Sequence, residues 1–119
     1  MPIIYKICPH ELWQQAEALG RFTGAPVDLA DGYIHFSTPA QVAETAARHF
    51  AGATNLVLVS VEAEVLGAAL RYEASRGGDL FPHLYGDLAL DAVRGVVDLP
   101  LGPDGRHVFP ADVPPGAAG

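Results

Sequence analysis

The chain has 119 residues, 50% of them hydrophobic and 18% charged, which suits one compact domain with a single core. Seven Lys and Arg stand against 14 Asp and Glu, a formal net charge of -7 with no basic run. Long nucleic acid is therefore not an expected partner, because phosphate backbones are gripped by clustered Lys and Arg.

Ile3 to Ile7 is β-branched and reads as a first strand. Lys6 and Glu11 fall too early for the apolar region of a signal peptide. Pro9 then stands at a first helical position and Gly20 at a stop, with Leu12, Trp13, Ala16 and Leu19 forming a stripe at helical spacing. Cys8, the only cysteine, precludes a disulfide framework. It reads as a small buried residue at a strand end, although a thiol ahead of a helix can be acidified. Arg21 to Ala30, with Gly24 and Pro26, reads as a loop.

Gly32 to Ser37 alternates, with Ile34 and Phe36 on one face and Tyr33, His35 and Ser37 on the other. Thr38, Pro39 and Gln41 then spell a helix start, and the helix runs to about Phe50 with Val42, Ala46 and Phe50 toward the core. Leu56 to Val61 reads as a central strand apolar on both faces, and its longest apolar run, Leu56 to Val59, is far short of a membrane span. Leu70 to Ser75 alternates again, with Arg71, Glu73 and Ser75 on one side, before the loop Ser75 to Asp79.

The segment FPHLYG, Phe81 to Gly86, precedes a strand within Leu88 to Leu99, and Pro103-Asp104-Gly105 marks a turn. Strands and helices in this order predict a single α+β domain over 1–110, with two main helices against a mixed or antiparallel sheet. Residues 111–119, rich in Pro, Gly and Ala, are expected to form a disordered tail.

A lone histidine on a strand is ordinarily a packing group with a polar tip. Here Tyr33 and Ser37 share the face of His35, and His83 and Tyr85 repeat the pairing, so two segments can converge on one polar cleft. Ser37 is not expected to be a nucleophile activated by His35. Residues two apart on a strand are roughly 6.5–7 Å apart, and direct activation needs about 3 Å. No histidine pair has metal-ligand spacing, so no metal is expected. Arg71 and Glu73 could form a salt bridge, or could hold an anionic group and a hydroxyl of a ligand. The stiff Pro82 and permissive Gly86 beside aromatic groups suit a planar ligand as well as a packed aromatic corner.

DGYIHFST followed by PAQV, then LRYE with its Gly-rich loop, then FPHLYG, together resemble a family of small bacterial proteins known as domain of unknown function 952. The resemblance spans about Ile3 to Leu99. It implies a fold similar to the ADP-ribosyltransferase superfamily, a split sheet with helices, whose enzymes cleave NAD. By that analogy His35 and Ser37 line the NAD cleft, Tyr33 or Tyr85 stacks on nicotinamide, and Glu73 is the candidate carboxylate. Together with the pattern of the residues this makes His35, Glu73 and His83 the catalytic candidates, and Tyr33, Ser37, Thr38, Arg71 and Tyr85 the binding ones. Glu73 would hold a ribose hydroxyl and stabilise an oxocarbenium-like transition state. The first strand, IIYKI, lacks the His-Gly or Arg pair that many NAD-cleaving members carry.

Two functions follow as expectations. One is a cytoplasmic, monomeric transferase or hydrolase acting on NAD or a related nucleotide. The other is a non-catalytic module binding a small metabolite or nucleotide in the same cleft. A stand-alone interaction protein with a satisfied polar core would need no cleft at all.

Overall fold

The apolar run Leu56 to Val59 lies at the centre of the molecule, fully buried. The computed structural model describes residues 2–111 and 113. It shows a single α+β domain of antiparallel sheets and four α-helices among the described residues. In chain order the elements are β1 (Ile3–Pro9), α1 (His10–Leu19), β2 (Arg21–Phe22), α2 (Pro26–Asp31), β3 (Ile34–His35) and α3 (Val42–His49). They continue with β4 (Leu56–Glu62), α4 (Ala63–Leu66), β5 (Leu70–Ala74), β6 (Leu80–Leu84), β7 (Leu88–Ala89) and β8 (Val93–Asp98).

The largest sheet has the order β1-β4-β8, so β4 is hydrogen-bonded on both edges. Its side chains alternate between two cores because successive residues of a strand point to opposite faces. Val57, Val59 and Val61 join Ile4, Cys8, Trp13, Ala16, Ile34, Phe36 and Leu84 in one. Leu56 and Leu58 join Tyr5, Ile7, Val42 and Ala46 in the other, with Phe50 half-buried at its margin. Helices α1 and α3 thus cover opposite faces of one sheet, as their apolar stripes require. Leu19, expected in the α1 stripe, is instead 54% exposed, because the helix ends there at Gly20 in a left-handed conformation (φ 92°).

A second sheet, β3-β6-β5, is antiparallel and small, and a third pairs β2 with β7. An isolated bridge between Tyr5 and Ser37, with backbone bonds of 2.8 and 2.9 Å in both directions, ties β1 to the chain just beyond β3. The turn around Pro103 to Gly105 closes a small hairpin through the Leu101–His107 bridge.

The segment Arg21 to Ala30, expected as a loop, contains β2 and most of α2. Its helix begins with Pro26 and closes on Gly32, whose φ of 88° no side-chain-bearing residue adopts freely. Helix α3 starts at Val42, later than the capping pattern at Thr38 suggests, because residues 39–41 form a turn. Of the tail expected over 111–119, residues 112 and 114–119 lie outside the described residues. Val113 is buried against the second core. No helix among the described residues is long and apolar enough to cross a membrane.

Candidate functional site

The small sheet gathers the polar residues on one face. His35 pairs with His83, and His83 pairs with Arg71, so the three form a single row across β3, β6 and β5. The ring centroids of His35 and His83 are 5.5 Å apart, edge to face. Tyr33 stacks on His83 at 4.1 Å and also contacts the rings of His35 and Tyr85 at 4.7 and 5.2 Å. The Arg71 guanidinium lies 4.9 Å from the Tyr85 ring centroid, in cation–π contact.

Each histidine has its own carboxylate. The Nδ1 of His83 is 2.9 Å from Glu73 Oε1, and the Tyr85 hydroxyl donates to the same oxygen at 2.8 Å. The hydrogen bonds from His83 and Tyr85 hold the Glu73 carboxyl below the ordinary range, and donating its proton to that carboxylate pushes the Tyr85 hydroxyl up.

His35 Nδ1 is 2.6 Å from Asp28 Oδ1, and His35 Nε2 is 2.9 Å from Asp31 Oδ2. An ionised carboxylate only accepts, so a ring donating from both nitrogens, the imidazolium, satisfies both contacts.

Asp28 is the hub that sequence reasoning missed. It is 2% exposed and accepts from four donors: Lys6 Nζ at 2.9 Å, the Ala25 amide at 2.7 Å, the His35 amide at 3.1 Å, and the His35 ring. Lys6, 5% exposed, also reaches its second oxygen at 2.8 Å. Burial alone would raise the Asp28 carboxyl, but the His35 hydrogen bond and the Lys6 charge overcome it and hold it at about 2. Two signals were present in the chain. Pro26 and Asp28 mark a helix start, and Lys6 shares a strand face with the buried Ile4 and Cys8, where an ammonium needs a counter-charge.

His35 and His83 open into a cleft of about 920 Å³. Its other walls include Lys6 from β1, Asp31 and Val27 from α2, Ser37, Phe81 and Ser75 from the small sheet and its edges, and Thr45, Arg48, His49 and Phe50 from α3 and its end. Tyr33, Arg71, Glu73 and Tyr85 do not line the cleft and connect to it through His83. Ser37 lines it, but its hydroxyl is 2.8 Å from that of Thr45. Thr38 lies outside the lining, where its amide donates to Gln41 Oε1 and its carbonyl accepts from the Gln41 and Val42 amides, so it shapes the entry to α3. Cys8 is walled off from this chemistry, fully buried with its thiol pushed up to about 11 by burial. Among the described residues no group of three or more His, Cys, Asp or Glu is arranged to hold a metal ion.

The chain as a whole is similar to solved structures of another protein. The crystal structure of protein CC0527 from Caulobacter crescentus matches with a TM-score of 0.86 at 53% sequence identity, over 89% of this chain and 93% of that one. A solution NMR structure of CC0527 matches with a TM-score of 0.80 at 54% identity, over 89% and 91%. No curated protein matches. The family model described as "Protein of unknown function (DUF952)" matches residues 7–96, and the chain belongs to that family.

Proposed function

We propose that the His35–His83 cleft binds a small planar anionic metabolite of the nucleotide class, NAD or a relative, and that the two histidines move protons in a transfer or hydrolysis on it. The observation that carries this reading is the pairing itself. Two imidazoles 5.5 Å apart, each held by its own carboxylate, open into one cleft. Carboxylate-held imidazoles are suited to general acid–base work because the partner fixes ring orientation and stabilises the charged form. Tyr33, stacked on His83 outside the cleft lining, helps hold that ring in place. The ADP-ribosyltransferase-like character belongs to this proposal and rests on the motif resemblance; Glu73, its candidate carboxylate, lies outside the cleft lining and acts on the cleft through His83. A cytoplasmic location and a monomeric state belong to the proposal too.

A second reading, binding without chemistry, is favoured by one contact. Both ring nitrogens of His35 already meet carboxylates, so neither is open to a substrate proton while Asp31 stays in place.

A thermal-shift screen with NAD, ADP-ribose and nicotinamide, followed by chromatography of incubated NAD, separates the readings. A ligand present at 100 times its Kd stabilises by about 2.7 kcal/mol, and His35→Ala should remove that shift. Nicotinamide release by the wild type and not by His35→Ala supports catalysis, and a shift with intact NAD supports binding alone. Ligand shifts that survive His35→Ala would overturn both.

A further inference from the structure

The lining of the cleft runs against the charge of the chain. The protein carries 14 acidic against 7 basic residues, yet the cleft collects Lys6, Arg48, His35, His49 and His83 around one lining carboxylate, Asp31. That carboxylate points its Oδ2 at His35 Nε2, 2.9 Å away. Resting on the reading of the cleft as a ligand site, we propose that His35 Nε2 is an oxyanion subsite for a phosphate or carboxylate group of the ligand, and that Asp31 occupies it as an internal stand-in until the ligand displaces it.

The two carboxylates on His35 differ in a way that suits this division. Asp28 is buried and committed to Lys6, two backbone amides and Nδ1, so it cannot leave without stranding them. Asp31 has a side chain 46% exposed, at the last position of α2, and can rotate into water. An exposed ion pair of this kind contributes little net stability, so a ligand oxyanion competes with it at small cost. With Nδ1 held by Asp28, Nε2–H stays directed at the place the Asp31 oxygen fills. Lys6 and Arg48 line the same cleft, each already paired with an acid, Asp28 and Glu44. The subsite therefore asks for one oxyanion on one imidazole N–H and no extended basic surface.

The test is titration with inorganic phosphate, and separately acetate, at one fixed pH, followed by the imidazole nitrogen resonances of His35. The proteins are wild type, Asp31→Ala, Asp31→Asn and Asp87→Asn. Asp87 pairs with Arg21 outside the cleft lining and gives the same change in net charge as Asp31→Asn. Both Asp31 variants should bind phosphate tighter than wild type, by up to about fivefold, the effect of removing an exposed competitor. The His35 Nε2 resonance should move with saturation, and Asp87→Asn should behave as wild type. A response to acetate as strong as to phosphate assigns the subsite to a carboxylate. Equal phosphate affinity in wild type and the Asp31 variants, an equal gain in Asp87→Asn, or no His35 response in any variant would overturn the subsite. The cleft reading fails separately, if nucleotide binding is indifferent to His35→Ala. It stands while this inference falls, if His35→Ala abolishes nucleotide binding and the Asp31 variants leave it unchanged.

Discussion

Removing the Asp28 carboxylate should be among the most damaging single changes in this protein. In Asp28→Ala the Lys6 ammonium, 5% exposed, is left without its counter-charge, and the Ala25 and His35 amides lose their acceptor. Breaking a buried ion pair from one side costs about 3–5 kcal/mol, and the two part-buried amides left without an acceptor add to that. A loss of at least about 4 kcal/mol is a large share of the roughly 5–15 kcal/mol available to a small domain. At about 4 °C per kcal/mol, near what a domain of this size shows, the midpoint should fall by roughly 15 °C. The decisive comparison is urea unfolding, followed by far-UV circular dichroism, of Asp28→Asn against the double variant Lys6→Met with Asp28→Asn. If the unpaired ammonium carries most of the cost, adding Lys6→Met should return part of the lost stability, since replacing a buried pair by neutral groups is often close to neutral. Equal midpoints and slopes for the two would refute the reasoning and shift the cost onto the backbone acceptors alone.

Asp28 should also shape acid stability: its folded pKa lies below its unfolded 3.8, at about 2, so its contribution is full above pH 3.8 and fades as pH falls toward 2. That contribution is roughly 2 kcal/mol, and a wild-type acid-unfolding curve no steeper in this window than that of Asp28→Asn would contradict it. Cys8, fully buried with its thiol raised to about 11, should resist alkylation in the native protein and react only on unfolding, measured by mass spectrometry across a urea series. Gly32→Ala should cost roughly 1–2 kcal/mol from backbone strain alone, because φ is 88° and an added β-carbon meets no neighbouring atom within 4 Å. A melting temperature unchanged from wild type would show that α2 ends differently in solution.

The helices α1 and α3 and the central strand β4 were legible because each has a local cause. Pro9 and Gly20 bound one helix, the Val42-Ala46 stripe marks the other, and an uninterrupted apolar run needs both faces covered. The convergence of His35 with His83 was legible from alternation, since their shared-face neighbours fixed which way each side chain points once the strands paired. Helix α2 was not. Six residues that start on a proline and stop before a glycine make too short a period to stand out from a loop, and the ion pair the helix delivers joins residues far apart in the chain.

By itself, then, the amino-acid order determined the fold class, the two longer helices and the polar face that carries Tyr33, His35, His83 and Tyr85. These follow from dihedral preference and periodicity, which act over a few residues. Only the tertiary structure decided that Asp28 sits beneath His35 on Lys6, that Asp31 meets the other ring nitrogen, and that Thr38 serves a turn. Those pairings depend on the chain reversing at Gly32 and on β1 running beside the small sheet through the Tyr5–Ser37 bridge. A buried charge chooses its partner by proximity in space, and separation along the chain does not report it.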